Sequence, residues 1–346
     1  VQREIRESDS LQEQREIASL SVGEQLEGAV FLAAKLELRE TRKGASYLCV
    51  ELRDQSGVIS ARLWNNVPAT LDALRNAPAV RVGGLVEEWR RERQLKLESI
   101  EAASPSPSEL QGLIPRTPFN LETLLERLET SFESLSNPWL RELLLGLLED
   151  REFVLKLRAA PAAARYHHSY MGGLLEHIVS LVELAEKVVV AYPRLNRDLV
   201  IAGCFLHDIG KIDEIAWDKG FKYTTRGQLL GHIAIGSIWI EQWAAKIEGF
   251  PAQLKDELIH LVLSHHGLRE HGSPVIPATP EAIVVHFLDN MDGKLWSAFR
   301  AIDEPSAEGD WSGYSPHLGR RLYRSGQDST SPARPSASPV EGVEAL

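Results

Sequence analysis

The chain has 346 residues, 25% charged and 43% hydrophobic, with a formal net charge of -11 at pH 7. That length suits two domains, and the composition is that of an ordinary globular protein able to bury a core in each. The acidic balance excludes a uniformly basic nucleic-acid binder, so any such contact must come from local basic patches or from cations.

In chain order, residues 1–16 are polar, and Val1–Leu11 lacks the apolar core of a signal peptide. From about Val22 the pattern turns to strands. Glu27–Glu40 alternates loosely and carries the β-formers Val30 and Phe31. Ser46–Arg53 sends Leu48, Val50 and Leu52 to one face and Tyr47, Cys49 and Glu51 to the other. Asp54-Gln55-Ser56-Gly57 reads as a turn, with glycine available for positive φ, and Val58–Trp64 as the returning strand. A short helix is predicted over Val67–Asn76, then strands over Ala79–Glu88 and Gln94–Ala102. Five strands with a helix between the third and fourth is the order of an OB-fold β-barrel. Residues 17–104 are assigned to it.

Ser104-Pro105-Ser106-Pro107-Ser108 marks a linker, placed at residues 105–118. Beyond it everything reads as helix. Asn137-Pro138 is an N-cap followed by proline at the first helical position, and Leu140, Leu143, Leu144, Leu147 and Leu148 follow at helical spacing. Further helices are predicted over Gly173–Tyr192, Arg197–Leu206, His232–Ile247, Pro251–Ser264 and Pro280–Ala301. Residues 119–302 thus form an all-α domain. Residues 303–346 are a tail, Ser- and Pro-rich and expected to be mostly disordered after 325. No apolar run reaches the length of a membrane span, so a cytoplasmic chain with no membrane partner is expected. The two cysteines, Cys49 and Cys204, lie inside apolar runs and read as inert thiols in a reducing compartment. The oligomeric state is not legible.

Eleven histidines occur, none before His167. Taken singly, each reads more readily as a core or surface residue than as a ligand. The joint pattern differs. His177 lies on a helix, His207-Asp208 ends an apolar helix, His232 follows Leu-Leu-Gly, His265-His266 follows Leu-Val-Leu-Ser, and Asp289 lies in His-Phe-Leu-Asp-Asn. Imidazole and carboxylate together suit divalent manganese, iron, cobalt, nickel or zinc, and no cysteine cluster competes. Adjacent helical residues point about 100° apart, so His207 and Asp208 can flank an ion but cannot both bury in apolar core.

The order H…HD…H…HH…D around Leu-His-Asp-Ile-Gly-Lys resembles the HD phosphohydrolase superfamily. The resemblance implies one ion on His177, His207, Asp208 and Asp289 and a second on Asp208, His232, His265 and His266, with Asp208 bridging. Manganese is the first candidate, and a single-ion site on the first four residues is the alternative. Pro161-Ala162-Ala163, His167-His168-Ser169-Tyr170 and Gly172-Gly173-Leu174-Leu175-Glu176-His177 are similar to the 3′–5′ exoribonucleases of the YhaM type, which also pair an N-terminal OB-fold with a C-terminal HD domain. Tyr47-Leu48 to Asp54, Gly57 and Leu63-Trp64 are similar to that family's OB segment, and Arg165 departs from it where lysine is expected. The family implies 3′-to-5′ hydrolysis of single-stranded RNA, or DNA, to nucleoside 5′-monophosphates.

Beside Asp208, Lys211, His167 and His168 are candidates for the chemistry and Glu176 for orientation. Lys211 is placed to touch a non-bridging phosphate oxygen. His167 and His168 are candidates to protonate the leaving 3′-oxygen or to grip the terminal nucleotide. Glu176 is a candidate to orient His177. In the strand region Arg39, Lys43, Tyr47, Arg62 and Trp64 combine charge for a phosphate backbone with rings for bases, as a single strand requires. Two other readings use the same residues. One is a cyclic-dinucleotide or nucleotide phosphohydrolase with the OB-fold as a regulatory module. The other is a non-catalytic nucleic-acid adaptor, against which the complete ligand set argues.

Overall fold

The computed structural model describes residues 15–41, 44–65, 67–74, 77, 79–89, 92–163, 170–216, 222–303, 310–315 and 317–324. The chain divides into two units, Val1–Trp89 with Arg93–Gly293, and Arg90–Glu92 with Lys294–Leu346.

The first unit begins with five strands, β1 (Gln25–Glu40), β2 (Ser46–Asp54), β3 (Gly57–Leu63), β4 (Ala79–Trp89) and β5 (Glu92–Ala103), with helix α1 (Val67–Leu74) between β3 and β4. The order across the sheet is β1-β2-β3-β5-β4. β1 is long enough to serve two neighbours. Its first half pairs with β4 from Gln25↔Leu85 to Phe31↔Val80, and its second half with β2 from Leu32↔Arg53 to Glu40↔Ser46. Register shifts at Leu26/Ala29 and Ala33/Lys35 let the strand bend between them. β3 runs antiparallel to β2 and parallel to β5. The alternation in β2 is as read from the sequence, with Leu48, Val50 and Leu52 wholly buried among Phe31, Ala61 and Leu95.

The β2–β3 turn rests on Asp54 rather than on glycine. Asp54 Oδ1 accepts from the Ser56 amide, the Ser56 hydroxyl and the Gly57 amide, and Oδ2 accepts from the Ile17 amide at 2.6 Å. Four donors repay the burial of this carboxylate. Gly57 does not adopt a positive φ, so its conformational freedom goes unused.

The expected linker is partly helical. Ser106 and Glu109 form a capping box, with Pro107 at the first helical position, and start α2 (Pro107–Leu113). Leu113 and Ile114 pack with Leu32, Ala79 and Ala103 of the strands, and Met171 lies against the same cluster. Pro115, Thr117 and Met171 exchange backbone hydrogen bonds, which ties the segment after α2 to the entry of the His177 helix.

The helical part comprises α3 (Leu121–Glu133), α4 (Pro138–Glu149), α5 (Arg151–Ala159), α6 (Gly173–Ala191), α7 (Arg197–Leu206), α8 (Lys211–Glu214), α9 (Thr225–Ala244), α10 (Ala252–Ser264) and α11 (Pro280–Asp303). Asn120, Asn137, Asp150, Asn196 and Thr224 cap their helices with side-chain oxygens. One apolar core joins α3 to α7 and α9 to α11, with Phe132 edge-on to Phe205 at 5.0 Å. Two features depart from the predicted elements of this half. A small hairpin, β6 (Ile215–Ala216) and β7 (Lys222–Tyr223), interrupts it, and α9 starts seven residues before His232. Among the described residues, no helix is long and apolar enough to cross a membrane.

The second unit holds the end of α11 and a short antiparallel ladder, Trp311↔Tyr323 and Ser315↔Arg320, with the Trp311 and Tyr323 rings edge to face. The tail expected after residue 325 lies outside the described residues.

Candidate metal centre and outer strand face

Each histidine of interest is delivered by a helix end or a helix interior. His177 lies one turn into α6, and α7 is buried along almost its whole length, so its C-terminus presents His207 and then Asp208 as rigid fixtures. His232 needs a break. At Gly231 the backbone takes φ 71 and ψ 157, a conformation essentially restricted to glycine, and α9 restarts at His232. Gly210 makes room for that restart, since a Cβ there would lie 2.1 Å from the His232 carbonyl oxygen. His265 and His266 close α10, and Asp289 projects from α11.

These side chains converge in two adjoining groups. His177, His207, Asp208 and Asp289 form one, and His232, His265 and His266 the other. In the first, His177 Nε2 stands 3.4 Å from Asp289 Oδ1, and His207 Nε2 3.4 Å from Asp208 Oδ2. In the second, His232 Nε2 and His265 Nε2 lie 3.4 and 3.5 Å from Asp208 Oδ1. Asp208 therefore turns one oxygen to each group.

The orientation of the rings follows one rule. His177 Nδ1 meets Asp292 Oδ2 at 2.9 Å, His207 Nδ1 the Cys204 carbonyl at 2.9 Å, and His265 Nδ1 the Val262 carbonyl at 2.7 Å. His266 Nδ1 meets the His271 carbonyl at 2.9 Å, and His232 Nδ1 meets Glu214 Oε1 at 3.1 Å. Carbonyls and carboxylates only accept, so Nδ1 carries the hydrogen in all five rings. In the neutral ring, Nε2 then offers its lone pair to the centre.

Three buried atoms at this point have no hydrogen-bond partner, namely Asp208 Oδ1, His232 Nε2 and His265 Nε2. Leaving three such atoms unsatisfied side by side is costly, and a cation between them satisfies all three. The donor set, imidazole nitrogen with carboxylate oxygen, suits a divalent first-row ion.

The electrostatics keep the carboxylates ionised and, with no cation between the rings, place on His177 a second proton that a bound cation would displace. Burial works against the Asp208 carboxylate, but the Lys211 ammonium and His207 outweigh it and hold the group ionised, well below the usual carboxylate range. Asp289 is likewise lowered despite its burial, chiefly by its hydrogen bond with His177. Burial opposes charge on His177, yet Asp289 and Asp292 together raise its pKa to about 10. Burial, with His265 and His232 nearby, lowers His266 to about 4, so its ring is neutral at neutral pH.

Lys211 is buried and ion-paired with Asp208 Oδ2. Glu176 accepts from Thr117 Oγ1 at 2.6 Å and the Tyr170 hydroxyl at 2.8 Å, and Asp292 supplies the anchor of His177. His167 and His168 lie outside the described residues. Sequence reasoning passed over two carboxylates that touch the rings, Asp292 and Glu214. The available signal was that Asp292 follows Asp289 by three residues, on the same helix face.

On the strands, Cys49 pairs with Arg62 and Leu48 with Leu63, so the register runs unbroken through the turn and Tyr47 and Arg62 share the face opposite Leu48, Val50 and Leu52. Tyr47 stacks on Trp64 with centroids 4.6 Å apart, and the Arg62 guanidinium sits 6.0 Å from the Tyr47 ring and 5.8 Å from the Trp89 ring. Trp64 and Trp89 are 43% and 51% exposed, which leaves ring surface available at both ends of the row. Arg39, opposite Tyr47 in the register, is engaged by Glu37, and Lys43 lies outside the described residues.

The HD domain family matches residues 174–294, the segment that carries every residue of the two groups. A 3′-5′ exoribonuclease YhaM of Oceanobacillus iheyensis is 34% identical to this chain, over 83% of the chain and 90% of the relative. The chain belongs to the YhaM 3′-5′ exoribonuclease family. Two further family members bear the same name, from a Geobacillus strain (34% identical, 83% of this chain, 88% of the relative) and from Bacillus velezensis (33%, 82% and 89%). The matched 83% of the chain is longer than everything that follows the last strand of the barrel order, β5, so the likeness reaches from the helical part into the strand-rich part.

Proposed function

We propose that this protein is a metal-dependent 3′-to-5′ exoribonuclease that hydrolyses single-stranded RNA to nucleoside 5′-monophosphates at a two-ion centre. The observation that carries the reading is the trio of buried, partnerless atoms, Asp208 Oδ1, His232 Nε2 and His265 Nε2, beside the His177, His207, Asp208 and Asp289 group. One ion is assigned to that group of four and the second to Asp208, His232, His265 and His266, with manganese as the first candidate and cobalt, iron, nickel or zinc as alternatives. When bound, such ions supply an activated water and neutralise charge on the attacked phosphate.

The residues do the rest. Asp208 fixes the spacing of the two groups through its two oxygens. Lys211 holds that carboxylate ionised and brings the positive charge that a phosphate would meet beside it. The Nδ1 anchors prevent the rings from turning, so little reorganisation accompanies the reaction. His167 and His168 remain candidates for protonating the leaving oxygen or gripping the last nucleotide.

Residues 17–104 act as an OB-fold that holds the strand, 105–118 as a connector, and 119–302 as the catalytic domain. Support comes from the strand order with β1 serving two neighbours and from the outward row Trp64, Tyr47, Arg62 and Trp89. Arg39 adds positive charge opposite Tyr47, and Lys43 remains a candidate from the sequence.

The test uses the full chain with a 5′-labelled single-stranded RNA, with and without Mn²⁺. A metal-dependent ladder shortening from the 3′ end, with 5′-monophosphate products and slowed by a 3′-phosphate, is expected. A DNA strand of the same sequence measures preference. Internal cuts, or equal cleavage of blocked and unblocked ends, point to an endonuclease or a nucleotide phosphohydrolase. No cleavage under any metal leaves a binding protein.

A further inference from the structure

Three of the five rings anchor Nδ1 on a neutral backbone carbonyl, His207 on Cys204, His265 on Val262 and His266 on His271. The other two anchor on carboxylates, and they fall one in each group. His177 in the first meets Asp292, and His232 in the second meets Glu214. Both carboxylates are themselves held. Asp292 is 4% exposed and its second oxygen accepts from the Ser180 hydroxyl at 3.0 Å. Glu214 Oε1 also accepts the His232 amide at 3.0 Å, at the point where Gly231 interrupts α9.

A charged acceptor does more than a carbonyl. It fixes the tautomer, and it pushes electron density toward Nε2, which makes the ring a stronger donor to a cation. We infer that Asp292 and Glu214 are paired positioning residues, each setting the affinity of one ion, so that the two ions are held by separately adjustable sites despite sharing Asp208. This inference rests on the two-ion reading above.

The experiment is a Co²⁺ titration of the full chain followed by visible absorption and calorimetry, in the wild type, Asp292→Asn and Glu214→Gln. Asparagine and glutamine keep one oxygen that accepts from Nδ1, remove the charge and replace the second oxygen by an NH2, toward which the Ser180 hydroxyl can turn its lone pair beside Asp292. The wild type is expected to take up two ions. Each variant is expected to weaken one of the two uptake steps by about 10- to 100-fold and leave the other within about twofold. The steps are assigned in a His266→Ala background, which keeps only the first group complete. There Asp292→Asn still weakens the remaining ion and Glu214→Gln does not.

Circular dichroism of each variant checks that the helices persist. If Glu214→Gln fails to fold because it also caps the restarted helix, Asp292→Asn in the two backgrounds still decides. A wild type with two ions whose affinities neither variant moves overturns the positioning roles and leaves the two-ion reading standing. Weakening of both steps by either variant overturns the separate control. A wild type that takes up a single ion overturns the two-ion reading and the role of Glu214 with it.

Discussion

The histidine centre and the outer face of β2 and β3 present polar and aromatic groups in opposite ways. In the centre every ring is tied at Nδ1, the carboxylates of Asp208, Asp292 and Glu214 are buried, and the unpaired atoms all point to one place. On the strand face the rings stack on one another and on Arg62, but their outer surfaces stay in solvent. A group that must hold a small ion within a few tenths of an ångström benefits from being fixed beforehand. A surface that accepts any base needs only flat rings and charge, and tolerates looser placement. Under the proposed function, chemistry and grip are therefore divided between a rigid and a permissive region.

The sharpest way to break this division is Asp208→Ala. It is expected to abolish hydrolysis and metal uptake while circular dichroism still reports a helical protein. Retained turnover sinks the two-ion proposal.

Next in size is removal of metal. With EDTA the centre leaves its ligands mutually unsatisfied, so melting is expected at a lower temperature. Restoring Mn²⁺ to about 100 times its Kd is expected to return roughly 2.7 kcal/mol of stability per bound ion. A melting temperature indifferent to both additions contradicts a resident metal.

Gly231→Ala probes the rigid side from the backbone. A side chain at φ 71 and ψ 157 is expected to cost about 1–3 kcal/mol and to displace His232, weakening the ion it is assigned to. Chemical denaturation and metal titration read the two effects separately. Stability unchanged by the alanine shows that the helix restart is not held in that geometry.

The strand face is probed last. Trp64→Ala is expected to remove about 1–3 kcal/mol of affinity for a long RNA strand, and Arg62→Ala to weaken binding and flatten its salt dependence. Because Trp64 and Tyr47 already stack on each other, losing Trp64 exposes the covered face of Tyr47, and the loss falls at the lower end of that range. Turnover of a dinucleotide is expected to persist. Unchanged affinity in an Arg62/Trp64 double variant removes the grip from this face.

Much of this was legible because local patterns agree with the tertiary structure. The alternation of Leu48, Val50 and Leu52 gave the inner face of β2, and Asn137-Pro138 gave the start of α4. The seven ligand candidates were legible as a set from their joint order along the chain, and their division between two ions from the resemblance to the HD superfamily. The rest depended on approach in space. Asp292 reaches His177 across 115 residues, and Glu214 reaches His232 across 18, so neither carboxylate stood out in the sequence from a solvated one. The turn at Gly57 was expected to lean on glycine because the amide donors gathered by Asp54 cannot be seen before folding. The hairpin of β6 and β7 is two residues deep on each side, too short for any alternation to register.

Asp208 lends one oxygen to each group, whereas every histidine serves only one. In genetic terms, this makes the ligands unequal. Substitution of a single histidine is expected to behave as a partial-loss allele, removing one ion and leaving the other in place. Substitution of Asp208 is expected to behave as a null, and no second-site change at either group alone can suppress it.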